Sequence, residues 1–322
     1  MTPSPRIIFF GTPDFAVASL EKILAAGFSV VAIVTVPDKI AGRGLKERSS
    51  PVKEFGMQNG IPVLQPVNMK DPGFIEQLAA YKPDLQIVIA FRMMPKQVWS
   101  LPPLGTFNLH ASLLPQYRGA APINRAVMNG ETETGVTTFF LNEQIDTGRI
   151  LLSGKVPIGP DETAGELHDR LMVAGASLVL ETIRQIVAGT FEEIQQESLI
   201  TLAETLKPAP KIFKEDCLID WNQEVTTLYN FIRGLSPHPG AYTKLKTADG
   251  EQILKIYRAV AEQAESGSVP GEFLSDGKTY LKVGAKNGYI HLNELQLSGR
   301  KVMNSGDFLR GFGRLFHETR DI

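Results

Sequence analysis

Three side chains of this sequence have the types and spacing to do chemistry together. Asn108 and His110 lie two apart in Thr106-Phe107-Asn108-Leu109-His110. Asp146 opens Asp146-Thr147-Gly148, 27 residues beyond the Gly119 that ends Ser112-Leu113-Leu114-Pro115-Gln116-Tyr117-Arg118-Gly119. Side chains two apart on a strand point to one face, so Asn108 and His110 can meet the same ligand. An amide, an imidazole and a carboxylate suit transfer of an acyl group between nitrogen atoms. The attacking amine creates a tetrahedral oxyanion, which the Asn108 amide and a His110 N–H would stabilise, one such donor being worth roughly 2.7–4 kcal/mol. Asp146, brought beside His110, would accept or relay the amine proton. No side chain need become covalently attached to the acyl group. Taken singly, an Asn or His at a strand end serves a turn or the backbone more often than a reaction, and Asp-Thr-Gly reads as a turn. The constellation carries the expectation.

The elements that must position these groups alternate. Ile7-Ile8-Phe9-Phe10 is a short apolar run ending at Gly11, after which Thr12 reads as an N-cap and Pro13 as the first residue of a helix to about Ala26. Ser29–Val36, Leu85–Ala90, Thr106–Leu109 and Gly135–Leu141 are β-branched or apolar runs separated by helical stretches. Such runs are expected of parallel strands covered on both faces. Strand and helix in alternation predict a doubly wound, mostly parallel, Rossmann-like α/β domain. In that architecture ligands bind at the carboxyl ends of strands, where the Gly11 turn, the Ala90–Pro95 segment and the Asn108–His110 strand end should converge. No dinucleotide fingerprint follows the first strand, so no nucleotide cofactor is expected.

Leu167–Ala188 has helical apolar spacing ending at Gly189 and should pack on the sheet, with His168 a packing or surface residue. Residues 190–209, followed by Pro210, read as a linker. Val225, Leu228, Phe231 and Ile232 mark a short helix. Five strand-like runs follow, at Ala241–Leu245, Ile253–Ala261, Gly271–Leu274, Tyr280–Val283 and Tyr289–Gln296, a number that suits a small β-barrel. The expected layout is therefore residues 1–189, a linker at 190–209, and a second domain at 210–322.

Bulk composition bounds the rest. A chain of 322 residues, 43% hydrophobic and 21% charged, has enough apolar material for two packed domains. Its single cysteine, Cys217, excludes an internal disulfide framework and Cys-rich metal motifs, and reads as a small buried residue. His238, His291 and His317 lack zinc-like spacing, and no metal site is expected. The opening Met1-Thr2-Pro3-Ser4-Pro5-Arg6 has no leader pattern, and no uninterrupted apolar run reaches about 20 residues. A cytoplasmic protein without membrane contact is expected. A net charge of −2 gives no global case for nucleic-acid binding, yet Asp38–Lys53 carries Lys39, Arg43, Lys46, Arg48 and Lys53 against only Asp38 and Glu47. That loop permits RNA binding.

With these residues in view, the chain resembles the formyltetrahydrofolate-dependent transferase family. The match rests on Asn108, His110 and Asp146, on Ser112-Leu113-Leu114-Pro115 with Tyr117-Arg118-Gly119 and Ala120-Ala121-Pro122-Ile123, and on Glu133-Thr134-Gly135-Val136-Thr137. Further matches are Gly11-Thr12-Pro13-Asp14-Phe15-Ala16, Pro37-Asp38-Lys39, Ala41-Gly42-Arg43-Gly44, Ser50-Pro51-Val52-Lys53 and Ile219-Asp220-Trp221, in the family's order. The resemblance implies that 10-formyltetrahydrofolate is the donor and that its formyl oxygen is polarised by Asn108 and His110. Asp146 would orient His110 through ordered water and help remove the proton.

The same resemblance implies a folate pocket lined by Ser112, Leu113, Leu114 and Pro115, largely through backbone, with Phe91 and Met93 nearby. It implies an OB-like C-terminal barrel and, as acceptor, the α-amino group of methionine on initiator tRNA, for translation initiation. Gly11, Thr12, Pro13, Asp14 and Phe15 would lie near the aminoacyl end. Lys39, Arg43 and Lys46 would reach the acceptor stem, and the protein would act as a monomer. One departure falls at Ala90-Phe91-Arg92-Met93-Met94-Pro95, where the family commonly has Ala-Tyr-Gly before its Leu-Pro. Two alternatives remain at this point: a formyltransferase acting on glycinamide ribonucleotide or an amino sugar, and a non-catalytic RNA-binding protein of the same fold.

Overall fold

Apolar runs too short for helices and bounded by glycine or proline build the first layer of the structure. In a computed structural model describing residues 4–41, 46–200, 205–247, 250–264 and 268–316, the chain begins β1 (Arg6–Gly11), α1 (Asp14–Ala25) and β2 (Ser29–Val34). A short hairpin, β3 (Lys39–Ala41) and β4 (Lys46–Arg48), precedes α2 (Pro51–Gln58), β5 (Val63–Leu64), α3 (Pro72–Ala80), β6 (Leu85–Ile89) and α4 (Lys96–Trp99). Then come β7 (Thr106–His110), α5 (Pro122–Met128), β8 (Glu133–Phe140), β9 (Ile150–Pro157) and α6 (Ala164–Ala188). The C-terminal part contains α7 (Val225–Leu235), β10 (Ala241–Thr247), β11 (Gly250–Gln263), β12 (Phe273–Ser275), β13 (Leu281–Ala285), β14 (Gly288–Leu297), β15 (Met303–Asn304) and α8 (Ser305–Phe312).

The chain forms two compact units. The first holds residues 1–119, 133–157 and 168–208; the second holds 120–132, 158–167 and 209–322. The boundary between the units in the C-terminal half follows Pro208, and the segments Ala120–Thr132 and Ile158–Leu167 group with the C-terminal unit.

In the first unit a seven-stranded sheet runs β5-β2-β1-β6-β7-β8-β9. The first five strands are parallel, whereas β8 and β9 are antiparallel. The Gly135–Leu141 run thus forms a strand, but an antiparallel one, since β8 returns beside β7 without a right-handed crossover. Strand order reverses between β1 and β6, and there Gly11 pairs with Ile89, which pairs in turn with Leu109. The Gly11 turn, the Ala90–Pro95 segment and the His110 strand end therefore leave neighbouring carboxyl ends, as the doubly wound reading expects. Gly11 is forced by packing: a Cβ there would lie 2.7 Å from Ala16 Cβ and 2.8 Å from Phe9 Cε1.

Helix α1 starts at Asp14, with Pro13 as its N-cap and no side-chain capping bond, so Thr12 does not cap it as expected. Helix α6 begins at Ala164 with a capping box: Glu166 Oε2 accepts from Thr163 N at 2.8 Å and Glu166 N donates to Thr163 Oγ1 at 3.3 Å. By length and composition α6 could cross a membrane. Its apolar character is accounted for by burial of Leu167, Leu171, Val179, Ile183 and Ile186 in the core. Leu109 packs against Gly175, and Thr138 shares a hydrogen bond with Thr182.

The second unit is built on an antiparallel sheet in the order β10-β11-β14-β13-β12, with β15 on β14. The five strands expected from sequence are all present, and no β10–β12 pair closes them among the described residues. One face buries Leu254, Ile256, Val283, Ile290 and Leu295 against Val225, Leu228 and Ile232 of α7 and Phe308 of α8. The inserted segments join this core. Gly234 lets α5 approach α7, since a Cβ there would meet Met128 N at 2.8 Å. Arg233 Nη1 donates to Glu162 O at 2.8 Å, and Tyr229 Oη donates to Asp161 Oδ1 at 2.6 Å. Burial, with Asp161 beside it, pushes the Tyr229 hydroxyl up to about 12. Cys217 is buried, which raises its thiol pKa.

Candidate active site

Parallel pairing with β6 and antiparallel pairing with β8 hold β7 rigid to its last residue, with His110 opposite Thr137. Alternation places Asn108 and His110 on one face. The Asn108 side chain is half-buried and makes no hydrogen bond among the described residues. It is therefore free to meet a ligand oxygen. His110 is only 8% exposed.

The loop after β7 is shaped by its own polar groups. Thr137 Oγ1 donates to Ser112 O at 2.7 Å, and Leu114 N donates to Thr137 Oγ1 at 3.2 Å, clipping the loop to β8. Ser112 Oγ donates to Gln116 O at 2.7 Å. Tyr117 takes a left-handed conformation, φ 60°, and its N–H donates to Lys207 O at 2.7 Å. Its carbonyl thereby meets His110 Nε2 at 2.8 Å. A carbonyl can only accept, so Nε2 carries the proton and Nδ1 is the nitrogen left for chemistry.

Nδ1 lies 3.9 Å from Asp146 Oδ2. That exceeds hydrogen-bond length, and both atoms are acceptors while the imidazole is neutral. The separation leaves the two atoms facing each other without a direct hydrogen bond. Asp146 is held by Gly119 N, which donates to the same Oδ2 at 2.9 Å, and by a left-handed backbone, φ 54°. Its side chain is 14% exposed. With Nε2 committed to Tyr117, His110 offers an N–H towards a reacting oxygen only from Nδ1, and so only as imidazolium.

The remaining candidates divide by exposure. Ser112, Leu114 and Pro115 are buried, and Leu113 packs against Gly135, leaving the backbone of this run as its ligand-facing resource. Phe91 stacks obliquely on Phe10, with ring centroids 5.7 Å apart, whereas Met93 is 74% exposed. Arg92, the departure from the family pattern, turns back to donate to Val67 O at 3.0 Å and to Pro66 O. Ala90 before it has φ 47°. Of the Gly11–Phe15 group, Phe15 is buried against His168, with ring centroids 5.1 Å apart, while Thr12 and Pro13 are half-buried and Asp14 exposed. Phe15 thus serves packing.

In the basic segment the backbones of Lys39 and Lys46 belong to β3 and β4, with Lys39 paired to Arg48. Arg43 lies outside the described residues, as do the Lys39 and Lys46 side chains. At the base of the segment Lys53 hydrogen-bonds Asp38, holding that carboxyl below its ordinary pKa. One residue beside the candidate site carries no sequence signal, Gln196. It lies in the stretch read as linker, yet is fully buried and bonds the Asp146 loop. Among the described residues no cluster of metal-ligating side chains occurs.

Comparison with known proteins bears on the family of the chain. A formyl transferase family model matches residues 5–183, and a formyl transferase C-terminal domain model matches residues 211–313. The methionyl-tRNA formyltransferase of Parabacteroides distasonis is 51% identical over 98% of both chains, and that of Bacteroides thetaiotaomicron 50% identical over 95% of both. Among solved structures, HypX from Aquifex aeolicus in complex with tetrahydrofolic acid superposes with TM-score 0.64 at 20% identity, over 97% of this chain and 47% of that one. An N-formyltransferase from Helicobacter canadensis, in complex with folinic acid and dTDP-3-aminofucose, gives TM-score 0.62 at 21% identity, over 89% and 98% of the two chains. With both models matched in order and half of all residues shared with full-length relatives, this chain belongs to the formyl transferase family, alongside the methionyl-tRNA formyltransferases.

Proposed function

We propose that this protein transfers the formyl group of 10-formyltetrahydrofolate to the α-amino group of methionine on initiator tRNA. The observation that supports the chemistry is that His110, which shares a strand face with Asn108, has Nδ1 3.9 Å from Asp146 Oδ2. The acceptor is argued from near full-length similarity to methionyl-tRNA formyltransferases. Neighbours of the same fold bind folates, which supports a folate donor here.

The amine nitrogen attacks the formyl carbon, and the carbonyl electron pair moves onto oxygen. The Asn108 amide donates to that oxygen, and protonated His110 adds a second donor at Nδ1. Asp146 takes up the ammonium proton, directly or through water between it and His110, and the N–H bonding pair returns to the nitrogen as its lone pair. The oxyanion then collapses to the carbonyl, and the carbon–nitrogen bond to the folate breaks with its electron pair leaving on the folate nitrogen, which takes the proton held by Asp146. The backbone of Ser112–Pro115, with Phe91 and Met93, holds the folate. Gly11–Asp14 faces the aminoacyl end, and Lys39, Arg43 and Lys46 engage the acceptor stem. The protein works as a cytoplasmic monomer, with residues 1–189 supplying the chemistry and 210–322 holding tRNA.

Formyl transfer from 10-formyltetrahydrofolate, assayed in parallel with methionyl initiator tRNA, methionyl elongator tRNA and glycinamide ribonucleotide, tests the reading. Formylation of the initiator alone is expected. Activity on glycinamide ribonucleotide alone would keep the chemistry and overturn the acceptor.

A further inference from the structure

We propose that Gln196 is a positioning residue that sets the Asp146 carboxylate opposite His110; the inference rests on the proposed role of that pair. Gln196 is fully buried, which is unusual for glutamine unless every polar group is met. Here all are met, and both ends meet the site. Nε2 donates to Asp146 O at 2.9 Å and to Gly148 O at 2.8 Å. Oε1 accepts from Arg118 Nε at 2.9 Å and Nη2 at 2.7 Å. One side chain therefore ties the backbone of the Asp146 turn to the residue beside Gly119, whose N–H holds the Asp146 carboxylate.

The anchor is itself fixed. Ile194 and Ile150 exchange backbone hydrogen bonds of 2.9 Å in both directions, pinning the chain two residues before Gln196 to the strand that follows the Asp146 turn. Asp146 needs such a clamp, because a left-handed aspartate persists only where surrounding bonds over-determine it. Without the clamp the turn relaxes, and the carboxylate loses its 3.9 Å relation to Nδ1. All four hydrogen bonds of the Gln196 side chain run to Arg118 and to the Asp146–Gly148 turn, so its effect on the proposed chemistry passes through that turn.

The test compares Gln196→Met, which keeps the volume and removes all four hydrogen bonds, with Gln196→Glu, which keeps the Arg118 arm and removes the two donors to the turn. Each is made alone and with Asp146→Asn, and formylation of methionyl initiator tRNA is followed by kcat, KM and pH profile. Both single variants are expected to lose about 10- to 100-fold in kcat with KM for either substrate within about twofold, and to move the acidic limb of the kcat profile. In the Asp146→Asn background neither should lose more than about twofold further, because residues acting as one unit are not additive. Multiplicative losses, or a Gln196→Met enzyme within about twofold of wild type, would overturn the inference. Should the wild-type protein formylate no acceptor, the functional reading falls, and amide hydrogen exchange decides the clamp: faster exchange over residues 142–149 in Gln196→Met supports it, and unchanged exchange overturns it.

Discussion

The backbone N–H of Gly119 donates to Asp146 Oδ2 at 2.9 Å, so the loop that follows the Asn108–His110 strand grips the candidate carboxylate directly. That bond explains why a carboxylate from a separate turn arrives at His110. It also leaves Asp146 Oδ1 unclaimed by Gly119.

Replacing Asp146 by Asn should therefore separate charge from placement. The amide oxygen can still accept from Gly119, so the turn keeps its path while the proton acceptor is lost. We expect kcat to fall by about 10²–10⁴-fold with an unchanged circular dichroism spectrum. A variant of near wild-type kcat would remove Asp146 from proton transfer.

His110→Ala should lower kcat by about 10²–10³-fold, the range for one donor to a developing oxyanion. Thermal melting checks the alternative. If the loss tracks a fall in melting temperature, the Nε2 contact to Tyr117 O is the main service of His110.

Of the candidate site, the sequence discloses only what local geometry carries. Two polar residues at strand spacing declare a common face, and the apolar β-branched runs Ser29–Val34 and Leu85–Ile89 declare strands. Strand β9, Ile-Leu-Leu-Ser-Gly-Lys-Val-Pro, was missed because glycine, lysine and proline interrupt its pattern at the sheet edge. Helix α8 carries two glycines, and its amphipathic face emerges only where Phe308 and Leu309 find the second core. Gln196 was illegible for a different reason. Its neighbours are polar all round, and its burial depends on Arg118 and on residues 146–148, partners that no local pattern announces. The His110 tautomer was hidden likewise, since it follows from the left-handed Tyr117.

The basic segment gives a prediction separable from the chemistry. Arg43→Ala should raise KM for initiator tRNA several-fold, because guanidinium forms directional pairs with phosphate or base acceptors. Donor binding, measured by folate titration, should not change. Equal weakening of both substrates would show a folding role instead.

Glu166 links pH to the stability of the α6 start. The backbone hydrogen bond from Thr163, aided by Arg258, lowers its pKa from 4.5 to about 2. A carboxyl with a depressed folded-state pKa contributes stability that is fully present above about pH 4.5 and is lost as pH falls towards 2. Melting temperature should therefore drop as pH falls from about 4.5 towards 2, and Glu166→Gln should flatten that drop while lowering the value at pH 7. Parallel curves for the two proteins would exclude the capping carboxylate as the source.

Gly148 closes the Asp146 turn against β8 at a distance that admits no side chain. A Cβ there would lie 1.6 Å from Phe140 O and 2.8 Å from Phe140 C, both backbone atoms that cannot swing aside. Gly148→Ala must push the turn off the strand end, and it would disturb the bond from Gln196 to Gly148 O as well. Overpacking of this kind costs about 1–3 kcal/mol. Stability to urea should fall by that amount, and the fraction of folded enzyme that remains should show a reduced kcat, because displaced Asp146 no longer meets His110. Full specific activity in the folded fraction would mean that the Asp146 carboxylate keeps its place without the turn, leaving the Gly119 bond sufficient to hold it.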